Sequence, residues 1–439
     1  MSLKKILLQS LLWRGSFFFT LLLVNVFLSR YLQASGAGWV YYISNIFSFS
    51  LVVIGFSFDA GITYFASNKM IAVDKLVWFT IAWTIILAAI AMAGMFYYIH
   101  NMAKTLVLPV REYYAIALFY LAGLFITNCC TALFYAENNF FIPNCLLTCW
   151  NILFIIIIPK NTVAPELKDA AITLWQYFFV FMVQGISLLA AYIFTKRKSF
   201  RFNFPSGSEL KMIFRYSFLA LLANLVFFLV YRIDYLFVNN SPVCTSADLG
   251  NYIQVSKLGQ MLLIIPQIIA SVIFPRTASG IDREKLNQSL MVISRLFSQL
   301  FLGILLVVIV AGKWLFTGLF GETFNKMQGP FIVLIPGIFF LSVLNLLSAY
   351  FSGKGKVNVN VQGAIIALVV VVIGDYFFVP RYGIIAAAAV STVGYAVNMA
   401  WPLFIFYKDY AVNLFDFFRW RKSDYNWLLA FFNTKNPSE

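Results

Sequence analysis

An all-α polytopic membrane protein, with about twelve transmembrane helices in two parallel six-helix lobes around a central cavity, follows from three features of the sequence. The first is composition. Of 439 residues, 62% are hydrophobic and only 11% charged, against roughly 25% charged in an ordinary soluble domain. The second is the length of the apolar runs, which cluster near the ~20 residues a helix needs to cross a bilayer. The third is a faint internal repeat: Arg14-x-Ser16-Phe17 returns as Arg215-x-Ser217-Phe218, each just inside an apolar segment.

The chain opens with Lys4 and Lys5 ahead of an apolar run, as a secretory leader does. Arg14 interrupts that run and no small-residue cleavage site follows, so the segment reads as an uncleaved first span. Spans are expected at 6–29, 38–66, 76–98, 113–137, 141–158 and 171–194 in the first half. In the second half they fall at 212–238, 248–275, 289–311, 328–351, 358–379 and 384–407. The stretch 412–432 is aromatic but carries Asp416, Arg419, Arg421, Lys422 and Asp424, which suits an interfacial amphipathic segment better than a crossing. Basic residues crowd one set of helix ends, including Lys4, Lys69, Lys75, Lys196, Arg197, Arg283, Lys354 and Lys408. The other set holds fewer, among them Arg30, Arg111 and Arg381. Both termini are therefore expected in the cytoplasm. The basic loop ending in Pro205-Ser206-Gly207 divides an N-terminal lobe (1–200) from a C-terminal lobe (201–411) and a cytoplasmic tail (412–439). Each lobe has an even number of spans, so the two run parallel, as in transporters built from repeated halves.

The formal charge of +15 fits the positive-inside rule and anionic headgroups. Nucleic acid is not an expected partner, because no soluble basic domain exists to carry it. Cys129, Cys130, Cys145, Cys149 and Cys244 lie in or beside apolar runs, where free cysteine acts as a small hydrophobe. With His100 as the sole histidine, a zinc site or a Ser-His-Asp triad has no material. Neither enzyme activity nor a cofactor is expected.

Polar residues within the spans are then the informative ones. At 100° per residue, Ser10, Arg14 and Asn25 share one face of the first span, and Tyr41, Asn45, Ser48 and Asp59 one face of the second. Gln254, Lys257, Gln260 and Gln267 share a wider face of the eighth. One polar stripe on an otherwise apolar helix implies a lumen on that side. Arg14 and Lys257 are deep enough to be cavity residues. Arg215 and Arg295, nearer cytoplasmic ends, fit snorkelling to the interface equally well. Arg232 and Asp234 are two apart and point to different faces of a straight helix. Asp59 is the candidate for a coupling ion or a partner for Arg14, with an interfacial position as the alternative; Glu137 and Asp375 read as interfacial. Cations outnumber acids on the stripes, which suits phosphate. Pro266 and Pro275 in the eighth span and Pro336-Gly337 in the tenth are expected to break their helices, as hinges or as static kinks.

Several motifs resemble those of the Wzx-type polysaccharide (O-antigen) flippases, a family grouped with the multidrug extruders and lipid II flippases. Gly353-Lys354-Gly355-Lys356 resembles that family's basic glycine turn. Pro380-Arg381-Tyr382-Gly383-Ile384 and the alanine run to Ser391 resemble its Pro-x-Tyr-Gly-Ile-x-Gly-Ala-Ala stretch, with Ala386 at the glycine. Tyr231-Arg232-Ile233-Asp234, Phe274-Pro275-Arg276 and Asp59-Ala60-Gly61-Ile62 are similar to its seventh-, eighth- and second-helix segments. The resemblance implies a flippase of a bacterial inner membrane. It implies alternating access, undecaprenyl-pyrophosphate-linked oligosaccharide as cargo, a proton, sodium or chloride as coupling ion, and contact with membrane lipids and polysaccharide polymerase machinery. The diphosphate is then expected on Arg14, Arg215 and Lys257, assisted by Arg232 or Arg295, with Asn25 and Asn45 on the same stripes. Two rivals stay open: an ion-coupled drug or metabolite antiporter of the same fold, which calls for acidic lumen residues, and a glycan polymerase or ligase, which calls for a large outer loop.

Overall fold

The computed structural model describes residues 3–102, 108–159, 170–197, 201–278, 283–410 and 414–425. Among these residues are thirteen α-helices and no strand. Nine helices are long and apolar enough to cross a membrane. Two of the nine are of double length, Leu12–Ile54 at 43 residues and Val357–Asp409 at 53. Each is broken at one residue in positive φ, Gln33 (φ 58°) and Gly383 (φ 64°), so each supplies two crossings of ~20 residues. Together with the shorter apolar helix Phe141–Ile157, they bring the crossings to the expected twelve.

The chain forms two compact units, parting at Phe228/Leu229. The first takes the residues up to Phe228 together with Leu319–Thr323. It contains α1 (Leu3–Ile54), α2 (Phe58–Ser67), α3 (Val73–Tyr97), α4 (Val110–Ala136), α5 (Phe141–Ile157), α6 (Ala171–Lys196) and most of α7 (Gly207–Arg232). The expected boundary at 200 lies outside the described residues. The unit extends beyond it because Phe214, Phe218 and Phe228 of α7 pack on Phe56, Phe58 and Phe49. Helix α4 is its core, with 72% of its most apolar window buried. It meets α6 backbone to backbone: a Cβ on Gly123 would lie 2.4 Å from the Phe181 carbonyl, and one on Gly185 would lie 2.5 Å from the Gly123 carbonyl. Small residues permit such contact where lipid supplies no hydrophobic drive. Buried amides are tied off locally. Gln184 donates to Asn151 (2.9 Å), and Asn151 donates to Thr20 (3.2 Å). At the α1 break, Thr323 donates to the Gln33 amide oxygen (2.8 Å) and accepts from the Ala34 N–H (3.0 Å).

The second unit contains Leu229–Gly318 and the residues from Phe324 onward. Its elements are α8 (Asp234–Asn239), α9 (Ser246–Leu262), α10 (Ile264–Ala278), α11 (Arg283–Phe320), α12 (Gln328–Gly353) and α13 (Val357–Tyr410). Thr245 and Asp248 form a reciprocal capping box at the start of α9. The α9/α10 break coincides with Pro266, which has no N–H to give to the carbonyl of Leu262. The other two proline sites differ from expectation. Helix α12 runs unbroken through Pro336, held where Gly337 lets the Thr392 backbone approach: an added Cβ would sit 2.9 Å from its Cα. Helix α10 continues past Pro275, whose side chain lies outside the described residues. Residues 414–425 dock on this unit. Phe417 packs on Phe406 and Phe418 on Phe339.

Candidate functional site

The polar centre of the second unit begins where α7 ends. The helix stops at Arg232, Ile233 turns, and Asp234 starts α8. The turn sends Asp234 inward, to 1% exposure. Its carboxylate accepts from Tyr252 (2.5 Å), from Ser391 (3.1 Å) and from the Tyr235 N–H (2.9 Å). Asp375, on the first half of α13, has no exposed surface at all, and neither carboxyl oxygen has a hydrogen-bond partner among the described residues. Asp234, Asp375 and Tyr252 lie within each other's electrostatic reach. An ionised carboxylate held this way is tenable only if it is paired; alone it carries a proton or holds a cation. Sequence reasoning placed Asp375 at an interface because the expected span ended at 379. The helix runs on to Tyr382, which sets Asp375 two turns inside.

Two basic side chains belong to the same unit. Arg232 donates to the Gln260 side-chain oxygen at 2.7 Å and lies 5.6 Å from the centre of the Tyr235 ring. Lys257, one turn from Gln260 on α9, is close enough to Arg232 for the two charges to oppose each other. The carboxylate nearest in sequence, Asp234, spends its acceptors on Tyr252, Ser391 and its own backbone. Arg295 is placed differently. It is 4% exposed on α11. Its guanidinium donates to both oxygens of Asp424 (2.8 and 2.6 Å) and to the Asp416 carbonyl (2.6 Å). That fork-on-carboxylate geometry commits it to the tail.

In the first unit Arg14 is half-buried, with its guanidinium 5.6 Å from the Tyr135 ring centre. Tyr135 in turn donates to Asn144 (3.0 Å). Arg215 is exposed on α7. Asn25 is buried and donates to the Leu21 carbonyl (2.8 Å), while its own carbonyl accepts from Tyr41. Asn45 is half-buried, with an unpartnered side-chain oxygen. The side chain of Ser10, expected on the Arg14 face, lies outside the described residues. Asp59 opens α2 and lines a cavity of about 290 Å³ with Ser57, Asn128, Asn224, Phe125, Phe228 and neighbours. The unit therefore holds Arg14, Arg215, Asn25, Asn45 and Asp59, and the second unit holds Arg232, Lys257 and Arg295.

The polysaccharide biosynthesis protein family Polysacc_synt_3 matches residues 167–328. No curated protein matches the sequence. Among solved structures, the chain is similar to the lipid II flippase MurJ in an inward closed conformation. The two are 13% identical with a TM-score of 0.70, over 98% of this chain and 94% of that one. It is similar to an inward-facing multidrug resistance MATE family transporter of the MOP superfamily, at 14% identity and a TM-score of 0.68, over 94% and 97%. A third neighbour is a MOP superfamily transporter from Pyrococcus furiosus, described by the reverse polarity of its binding pocket. It is 16% identical with a TM-score of 0.62, over 92% and 95%. The chain has the MOP transporter fold. Its helices and its two units follow the fold of those proteins.

Within that fold the residues that sequence reasoning missed are Asp375, Tyr252 and Ser391. A carboxylate in the run Val371-Val372-Ile373-Gly374-Asp375 is a functional candidate by default once the span is drawn long enough. Ser391 is hidden by the alanines around it. No group of three or more histidine, cysteine or acidic side chains capable of holding a metal occurs among the described residues.

Proposed function

We propose that this protein is a flippase carrying an undecaprenyl-pyrophosphate-linked oligosaccharide across a bacterial inner membrane by alternating access, making and breaking no bond. The observation that carries the reading is the juxtaposition of Arg232 and Lys257. A guanidinium held at Gln260 and an ammonium one turn away on α9 are donors for which a diphosphate supplies oxygens. On the first unit, Arg14 and Arg215 are the cations we assign to anionic cargo. The family match to polysaccharide biosynthesis proteins and the lipid II flippase among the structural neighbours support the substrate class. Contact with the polymerase machinery is part of this proposal.

The test removes charge and keeps shape. Arg232→Gln and Lys257→Gln are each expected to cut export of surface polysaccharide at least about tenfold, the worth of one charge-assisted contact, with the protein inserted at normal levels. Arg232→Lys is expected to recover only part, because it lacks the planar fork. Normal export in both glutamine variants would overturn the cationic site as the seat of the diphosphate.

One observation favours ion coupling within the same function. The acids expected of a cation-driven transporter are present as the buried pair Asp234 and Asp375. They suit a proton or sodium better than Asp59, which lines a space far larger than an ion.

A further inference from the structure

The cavity at Asp59 has no role in the mechanism above, and its construction is unusual for a membrane-buried helix bundle. Three elements converge on it. The link from α1 to α2 contributes Ser57, which with Phe56 sits in the left-handed region (φ 50° and 55°). Two successive non-glycine residues there are strained, and strain of this kind is retained where a site over-determines it. Helix α4 contributes Asn128, exposed although α4 is the most buried helix of its unit. Helix α7 contributes Asn224, also exposed, whose amide donates to the Ser57 hydroxyl at 3.1 Å. Asp59 completes the polar wall. Among the described residues no cation pairs with it, and its neighbour contacts are backbone ones. Phe125 and Phe228 form the apolar side.

We propose that this cavity is a saccharide subsite, taking one neutral, hydroxyl-bearing sugar ring of the cargo. The volume of about 290 Å³ is roughly that of ten waters in the liquid. It lies at the small end of organic-ligand pockets and is far too large for a bare ion. The charge decides the sign of the ligand: one carboxylate and no cation repel phosphate. The donor set fits hydroxyls. A carboxylate accepts from O–H, whereas each amide both donates and accepts, so adjacent ring hydroxyls find complementary partners. The two phenyl rings suit the apolar face of a sugar. This assignment rests on the reading that the cargo carries a glycan, and it is separable from the cationic site by experiment.

Saturation-transfer NMR on the full-length protein in detergent micelles, with free glucose, galactose and N-acetylglucosamine as probes, reads the subsite without any export assay. Saturable binding of at least one of these sugars is expected in wild type. Asp59→Asn, isosteric and uncharged, and Asn128→Leu are each expected to weaken it at least about tenfold. Asn224→Ala is the milder check against misfolding, since that side chain is exposed. Absence of sugar binding overturns the proposal. So does sugar binding that all three substitutions leave unchanged, or saturable binding of sodium or choline in place of sugar. Arg232→Gln and Lys257→Gln are expected to bind sugar normally. Sugar binding retained alongside normal export in those two variants would sink the cationic diphosphate site alone. Sugar binding lost from wild type while their export fails would sink the subsite alone.

Discussion

Asp375 shows how much one side chain decides. Burial of a carboxylate with neither oxygen partnered is untenable as a lone charge, so this residue is a carrier or it is a defect. Its neighbours argue for a carrier. Asp234 has the opposite arrangement, with Tyr252, Ser391 and a backbone N–H all donating to it. On the proposed reading the first acid takes and releases a cation while the second stays fixed. Asp375→Asn keeps the shape and removes the exchange. It is expected to leave insertion and thermal stability unchanged or slightly improved, and to reduce ion-driven transport at least about tenfold. Transport by reconstituted protein, measured against sodium and against pH, is the readout. A variant that retains wild-type dependence on both would remove Asp375 from the coupling step. At this scale the sequence is a partial guide. Arg232 and Lys257 stand out because charge inside apolar runs is rare. Asp375 was discounted because an error of three residues in a helix end moves it by most of a turn.

Among the elements, the tail at 414–425 is held by a few specific contacts. Arg295 and Asp424, 129 residues apart in sequence, form a two-pronged pair at 5% and 1% side-chain exposure. Trp420 donates to Ser298 at 2.7 Å, and Tyr425 hydrogen-bonds Gln299, so three contacts fall within about one turn of α11. Helical periodicity cannot reveal a pairing over that distance; it shows only that Arg295 is near a helix end, which is why snorkelling remained open. Removing one partner of a buried pair costs about 3–5 kcal/mol. Arg295→Met is therefore expected to release the tail, measured as hydrogen exchange in 414–425 rising by at least a hundredfold while α12 stays protected. Acid should do the same. Burial alone would raise the Asp424 carboxyl, but the hydrogen bonds and charge of Arg295 outweigh it and hold the group below the ordinary carboxylate range. A depressed folded value means that the docking energy is present in full above the unfolded value, about 3.9, and is lost as pH falls through the folded one. The protection factors of the tail, which divide out the intrinsic pH dependence of exchange, should thus be constant from about pH 6 to 8 and fall only under strong acid. Release near neutrality would show that the pair does not hold it.

For the molecule as a whole, run length and composition were enough to find twelve crossings, because the hydrocarbon core imposes its thickness on every span. Long-range matters were not legible. The compact first unit continues through α7 to Phe228 because a phenylalanine cluster holds it, although the basic loop before α7 looks like the natural divider. The two breaks at Gln33 and Gly383 are a similar case. Gly383 is readable, since glycine alone takes positive φ without strain. Gln33 is not, because its conformation depends on Thr323, far along the chain. Both breaks carry the topology, and that makes them testable. If α1 and α13 each cross twice, Ser35 and Tyr382, both exposed just beside the breaks, lie on one face of the membrane. Ser67, exposed at the end of α2, then lies on the other. In a background with the five native cysteines replaced, Ser35→Cys and Tyr382→Cys are expected to react with an impermeant maleimide on intact cells. Ser67→Cys should react only after permeabilisation, as the excess of Lys and Arg at its end requires. If Ser35→Cys and Ser67→Cys label from the same side, the second half of α1 does not cross. The count of twelve and the parallel relation of the halves then fall together, whatever the residues in the sites are doing.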